Sequence, residues 1–378
     1  MISEKNCFFN EFQGLYFMRF MSLVAVIFLM NSSIINGQND SSNTSYIAVK
    51  PQVGYIIPHT KTIELLSKSN PYGIEAEYGW FLTQQKDWER CNCYSKAGFS
   101  VLYIDYDNPS VIGQSINFLA YAEPFLNSRG NFLASIRMGV GASYLTKVYH
   151  EEKNPENMFF STSLSYLVHL DANVTAFVSD HLFLYLYAKY NHISNGGVKK
   201  PNLGMNFPTF GLGMGYNFDY LTFPQKSKQP LQKPVKIIPY TGTFFTPRTI
   251  HVEGDDEFTL SAGTFLKARR KITRLNALSA GFEAVYDRSL FNKEEKREGF
   301  LLNSYYSFAA GHAFVFGRFI FSQEFGAYLY APYYEGSDYF QRYALTFQFG
   351  EKFRAGVTLK AHAEVAENFN VILTYDLR

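Results

Sequence analysis

Between Tyr190 and Asn206 the chain reads YNHISNGGVKKPNLGMN, a stretch that sets residue types able to do acyl-transfer chemistry at short spacing. His192 and Ser194 are two apart, so on an extended backbone both side chains point to one face and come within hydrogen-bonding reach of each other. That is the arrangement a serine nucleophile and an imidazole base require. If the segment between them closes a hairpin, Asn206 falls on the neighbouring strand beside His192. Seen alone, a His-x-Ser pair on a strand is more often a surface pair than a catalytic one, and an ordinary polar turn reads the same way. The elements that carry the residues decide between the two.

From Leu182 the even positions are Leu182, Leu184, Leu186, Ala188, Tyr190, His192 and Ser194, and the odd ones Phe183, Tyr185, Tyr187, Lys189, Asn191 and Ile193. In a small membrane barrel the leucine stripe must face lipid and the face with Lys189 and Asn191 the interior. From Asn206 the even positions are again apolar, with Phe210, Leu212, Met214, Tyr216 and Phe218 opposed by Thr209, Gly211, Gly213 and Gly215. The spacing therefore puts His192, Ser194 and Asn206 at the end of a lipid-facing stripe. A polar triplet is costly there as decoration and well placed for an acyl chain already in the membrane.

Period-two alternation extends along the whole chain. In 378 residues there are 28 Tyr and 37 Phe, yet mean hydropathy is −0.15, a combination suited to many half-apolar strands. The pattern predicts strands near 45–57, 73–83, 97–106, 114–126, 131–145, 162–178, 182–194 and 206–219. A second set follows near 236–247, 256–267, 274–287, 301–311, 314–330, 339–349, 353–363 and 368–377. Between the sets, 222–235 is rich in Pro, Lys and Gln and reads as a linker. NFLASIRMGVGASYLT in the first set resembles RFIFSQEFGAYLYAP in the second. The fold class is all-β, an antiparallel membrane β-barrel built as a duplicated eight-stranded unit, with barrels at 38–221 and 236–378; one barrel of about sixteen strands is the alternative. A soluble β-sandwich shares the alternation but accounts less well for the aromatic content and the strand lengths.

Residues 1–37 read as a signal peptide with an upstream extension: Arg19 precedes the apolar run Met21–Met30, then small and polar residues follow to Gly37. Ten apolar residues are too few for a spanning helix, which needs roughly 20. Thirty-five basic residues against thirty-three acidic ones give a net charge of +2, which argues against a nucleic-acid partner. Cys91 and Cys93 allow a local disulfide or half a metal site, but no second ligand pair completes a metal centre, and no cofactor is called for. His59, His150 and His312 have no recurrent partner spacing, and His362 shares a polar face with Lys360, so the second half has no copy of the lipid-facing pair.

HISNGG (His192 to Gly197) followed by PNLGMN (Pro201 to Asn206) resembles the His-x-Ser-Asn motif of the outer-membrane lipid A deacylases. The resemblance is strongest over the last two strands of the first half. It implies an eight-stranded outer-membrane barrel whose partner and substrate is lipid A, the membrane part of lipopolysaccharide, with hydrolysis of an ester-linked acyl chain on the outer wall. By motif position it makes Ser194 the nucleophile and His192 the base, and gives the oxyanion to the Gly197 N–H and the Asn202 amide. Asn195, Lys199 and Lys200 fall in the motif loop, where the lysines could meet lipid A phosphates or form a solvated turn. The family has an acid fourteen residues after the histidine, where this chain has Asn206, and no Asp or Glu lies between His181 and Phe218. An amide orients imidazole but does not balance imidazolium. The sequence thus leaves two expectations: an esterase, with Asn206 or a carboxylate such as Glu151 or Glu152 as third member, and a non-catalytic structural or adhesive barrel that keeps the motif as a relic.

Overall fold

The structure, a computed structural model, describes residues 43–377 apart from 128, 129, 131, 222, 224–226, 229, 232–234, 253, 254, 291–302, 333–336, 363 and 364. The expected signal segment lies outside the described residues. The first eight strands are β1 (Thr44–Gly54), β2 (Tyr72–Leu82), β3 (Ser95–Asp105), β4 (Gln114–Pro124), β5 (Phe132–Leu145), β6 (Leu164–Phe177), β7 (Leu182–Ser194) and β8 (Met205–Asn217). The next eight are β9 (Ile237–Val252), β10 (Asp255–Lys271), β11 (Asn276–Asp287), β12 (Ser304–Phe316), β13 (Phe319–Tyr330), β14 (Tyr339–Phe349), β15 (Phe353–His362) and β16 (Val365–Asp376). One short helix, α1 (Gln85–Cys91), lies between β2 and β3.

Each set closes on itself through antiparallel neighbours: β8 returns to β1 and β16 to β9. The single sixteen-stranded barrel is therefore ruled out, because β8 spends its second edge on β1 and has none left for β9. The two segments that echo each other in sequence are β5 and β13, the fifth strand of each barrel. Closure satisfies every strand edge, which is what a spanning sheet needs where no water can do so.

Alternation sorts the side chains as the period demands. Val53, Phe118, Leu170, Leu186, Phe210 and Leu212 are exposed on the first barrel, and Leu266, Phe282, Phe325 and Leu373 on the second. Such an apolar outer band is what faces lipid in barrels of this kind. The lumen of the first barrel is crossed by ion pairs: Arg137 Nη1 lies 2.5 Å from Glu77 and Nη2 2.6 Å from Glu123, with Lys96 2.7 Å from Glu123 and Lys50 3.2 Å from Glu77. The second is crossed in the same way, with Lys267 between Glu283 and Glu324 at 2.7 and 2.6 Å.

Arg137 is fully buried, and its guanidinium also lies 4.0 Å from the centre of the Tyr121 ring. Removing one partner of a buried pair strands the others, typically at about 3–5 kcal/mol. Lys50 and Lys96 still face the two carboxylates, so Arg137→Met is expected to cost about 3 kcal/mol, the low end of that range, in urea unfolding from lipid vesicles.

The loops differ between the two ends. One end of the first barrel carries 55–71, 106–113, 146–163 and 195–204, and the other 83–94, 125–131 and 178–181. Of the second barrel's turns, 272–275, 317–318 and 350–352 are short and 288–303 is long.

Candidate active site

The β7–β8 hairpin runs in register from Leu182 opposite Tyr216 to Ile193 opposite Met205, which sets His192 directly across from Asn206. On its other side β7 pairs with β6, so Ser194 faces Tyr166 and His192 faces Val168. The chain beyond β1 extends the sheet by one bridge, with the Ile57 N–H donating to the Asn206 carbonyl at 2.8 Å. Lys189 and Asn191 are buried in the lumen, while Leu184, Leu186 and Tyr190 on β7 and Phe210, Leu212 and Met214 on β8 are exposed. His192 and Ser194 continue that outward stripe and are half-buried beneath the loop of 195–204.

The hydrogen bonds define the chemistry of each group. His192 Nδ1 lies 2.7 Å from Asn206 Oδ1. A carbonyl oxygen only accepts, so Nδ1 carries the proton and donates it, and Nε2 presents a lone pair. Nε2 is buried and makes no hydrogen bond. Ser194 Oγ accepts from the Asn202 amide at 2.8 Å and from the Gly196 N–H at 3.1 Å. No hydrogen bond joins Ser194 to His192: the serine oxygen is held by its own loop, and a free base lies two residues away on the same face.

Two residues of the motif loop make contacts that the motif alone does not specify. The Gly197 N–H donates to Asn195 Oδ1 at 3.0 Å, so the glycine N–H turned toward Ser194 is that of Gly196, brought there by the left-handed backbone of the glycine pair. Asn195 is held within the motif loop. It is buried, donates through Nδ2 to Ser161 Oγ and the Lys199 carbonyl at 3.0 and 2.7 Å, and gives its N–H to Asn202 Oδ1 at 3.1 Å. It clamps the loop that holds Asn202 on Ser194. Lys199 is half-buried and Lys200 exposed on that loop. Glu151 and Glu152 are exposed in the loop of 146–163 and form no hydrogen bond with His192, whose partner is Asn206.

Four supporting hydrogen bonds have no sequence signal. The Leu203 and Gly204 N–H groups donate to the Met158 and Phe159 carbonyls at 3.0 and 3.1 Å, and Ser161 Oγ donates to the Lys199 carbonyl at 2.7 Å, so the 146–163 loop pins the site loop. His59, from the chain beyond β1, donates through Nε2 to the Leu203 carbonyl at 3.0 Å. These are contacts between residues far apart in the chain, and local periodicity does not reveal them.

Gly204 closes the site from behind. Its φ is +71°, and a Cβ there would lie 3.1 Å from His192 Cε1 and 3.5 Å from Ser194 Cβ. Gly204→Ala therefore strains the backbone and pushes the imidazole. A misplacement near 1 Å can cost up to about 100-fold; the overlap here is smaller, and a loss of about tenfold in kcat with KM little changed is expected from fatty-acid release assays.

Elsewhere the alternatives resolve differently. Cys91 and Cys93 form a disulfide, and among the described residues no group of metal-ligating side chains is assembled. His150 Nδ1 accepts the N–H groups of Glu152 and Lys153 in a turn, and His312 donates to Asn276. His362 faces Glu367 Oε2 at 2.8 Å and the Tyr339 carbonyl at 2.8 Å, a pair with no serine among these partners.

A hairpin with an outward His, Ser and Asn on a lipid-facing wall can be compared with known proteins on its own terms. Residues 72–215 match the family model of lipid A 3-O-deacylase (PagL), and residues 238–378 match that of the acyloxyacyl hydrolase C-terminal domain. The chain belongs to the lipid A deacylase family. Each model falls on one of the two barrels. Among solved structures, the outer membrane enzyme PagL is similar at 15% identity, over 44% of this chain and 97% of that one, with a TM-score of 0.29. A triple mutant of the Rhodopseudomonas blastica porin is similar at 11% identity over 89% of this chain and 99% of the porin, with a TM-score of 0.20. No curated protein matches the chain.

Proposed function

We propose that the protein hydrolyses an ester-linked acyl chain of lipid A at the outer wall of its first barrel, with Ser194 as nucleophile and His192 as general base. One observation carries this reading: a histidine whose Nδ1 is bonded to Asn206 and whose Nε2 is free lies on the same lipid-facing stripe as a serine held by two donors. In outer-membrane barrels the longer loops face outward and the short turns inward. The site lies at the end bearing 55–71 and 146–163, which supports a substrate in the outer leaflet.

The ester enters along the stripe of Leu186, Tyr190 and Phe210. Ser194 Oγ turns from its loop toward His192 Nε2, gives it the proton and bonds to the carbonyl carbon. Catalytic hydrogen bonds are often absent until substrate arrives, so the resting separation is compatible with this step. The carbonyl oxygen becomes an oxyanion that the Gly196 N–H and the Asn202 amide, released from Oγ, stabilise. Collapse breaks the ester bond, and the leaving alcohol takes the proton from Nε2. Water, deprotonated by the same nitrogen, then frees the fatty acid and restores Ser194.

The test is mass spectrometry of lipid A from cells producing the wild-type protein or Ser194→Ala. Loss of one acyl mass with the wild type alone supports the reading. Unchanged lipid A in both sinks it and leaves the second reading, a non-catalytic barrel, which the uncharged Asn206 favours.

A further inference from the structure

The turn that donates to Ser194 is braced from outside its own barrel. Gly196, whose N–H reaches Ser194 Oγ, is buried, and a Cβ there would lie 2.8 Å from Phe369 Cβ and 3.5 Å from the Phe369 nitrogen, both on β16 of the second barrel. One at Gly197 would lie 3.0 Å from the Glu367 carbonyl oxygen on the same strand. Both glycines have φ above +60°, and a glycine pair has many other conformations open to it, so a surface to pack on decides which one it keeps. Beside the turn, Phe369 stacks on Tyr166 of β6 with ring centroids 4.3 Å apart, and the two residues are 5% and 8% exposed. β16 is itself fixed at this point. Thr246 on β9 donates through Oγ1 to the Phe369 carbonyl at 2.5 Å, and the Glu367 carboxylate meets Lys360 Nζ and His362 Nε2 at 2.8 Å each and Arg248 at 3.3 Å. The glycine turn therefore lies between two anchored partners, Asn195 in the first barrel and β16 in the second.

We propose that β16 of the second barrel, through Phe369 and the Glu367 carbonyl, is a positioning element of the active site: it holds the Gly196–Gly197 turn so that the Gly196 N–H stays aimed at Ser194. The inference rests on the reading that Ser194 attacks an acyl ester and that Gly196 helps to bind the oxyanion. Such a donor works because it is fixed before charge develops, and losing one costs about 10²–10³ in kcat. Ser194, His192, Asn202 and Asn206 all come from the first barrel, and the brace on the backbone donor comes from the second. The second barrel thus serves the reaction without a serine beside His362 and Glu367. The stripe of Leu186, Tyr190 and Phe210 stays exposed, so the contact acts on turnover and not on binding of the acyl chain.

Phe369→Ala takes the ring off Tyr166 and loosens β16 on the turn. In the full-length protein in lipid vesicles it is expected to lower kcat for fatty-acid release from lipid A about tenfold, well inside the roughly 100-fold that a 1 Å displacement can cost, with KM little changed. Hydrogen–deuterium exchange in the 195–204 loop should become about tenfold faster, while β6 and β7 keep their protection and so report a folded barrel. Phe369→Leu, which refills most of the gap, is expected to restore both readings. Leu373→Ala, on the same outward face of β16 but 47% exposed, is expected to change neither. An unchanged kcat, a rise in KM in its place, or loop exchange that Phe369→Ala leaves as in the wild type overturns the proposal. Faster loop exchange in Phe369→Ala with no lipid A cleavage by the wild type removes the catalytic reading and keeps the brace. Cleavage by the wild type that Phe369→Ala matches in full removes the brace and keeps the catalysis.

Discussion

Ser194→Ala is expected to lower fatty-acid release from purified lipid A by about 10³–10⁴-fold, with KM nearly unchanged. In serine hydrolases with a full triad, loss of the serine costs about 10⁶ in kcat. Here the third member is an amide, and the charge that would stabilise imidazolium is missing before any substitution is made, so less catalysis remains to be lost. His192→Gln is expected to cost nearly as much as Ser194→Ala, and the double variant no more than either, because nucleophile and base act as one unit. Independent losses that multiply in the double variant would show that the two do not share a step. The residual rate should come from Gly196 and Asn202, which neither substitution touches. The hairpin need not rearrange: Ser194 contributes only its hydroxyl to the loop, and Asn202 keeps its bond from the Asn195 N–H.

The hairpin was readable from sequence because everything that defines it is local. Leu182 to Ser194 alternates without a break, and the alternation alone says that His192 and Ser194 share the face of Leu184 and Leu186. The same period predicted sixteen strands, and the resemblance between β5 and β13 pointed to two closed units rather than one. What stayed hidden is what depends on distant partners. Nothing in HISNGG says that Asn195 turns inward onto Ser161, 34 positions earlier, or that this makes Gly196 rather than Gly197 the donor at Ser194. His59 and Leu203 are 144 positions apart and Tyr166 and Phe369 lie in different barrels, so no local period marks either contact. A period of two also does not distinguish a lipid-facing aromatic from one covered by another wall; Phe369 has the pattern of the first and the burial of the second.

Asn206 is where the activity can be moved in both directions. In its present orientation Oδ1 accepts from Nδ1, which fixes the tautomer that leaves Nε2 as the base. The roughly 10⁴-fold loss seen when a triad Asp becomes Asn arises largely from the wrong tautomer. That part of the loss does not apply while Oδ1 faces the ring. What is missing is charge. A hydrogen bond to a charged partner is worth about 1–2 kcal/mol more than a neutral one, so Asn206→Asp is expected to raise kcat by roughly tenfold. A carboxylate on the lipid face costs little here, about 0–1 kcal/mol near the interface, and His192 gives it a partner. Asn206→Leu removes the acceptor, lets the imidazole turn and exchange tautomers, and should lower kcat by about 10–100-fold, the equivalent of one lost orienting hydrogen bond in a dry site. Initial rates of fatty-acid release by the two variants, at saturating lipid A, decide the point. A fall with Asn206→Asp comparable to that with Asn206→Leu would mean that the wall tolerates no charge beside His192 and that the amide is the working third member. Equal rates for wild type and both variants would mean that Asn206 does not orient the base at all, and the tautomer argument would fail with it.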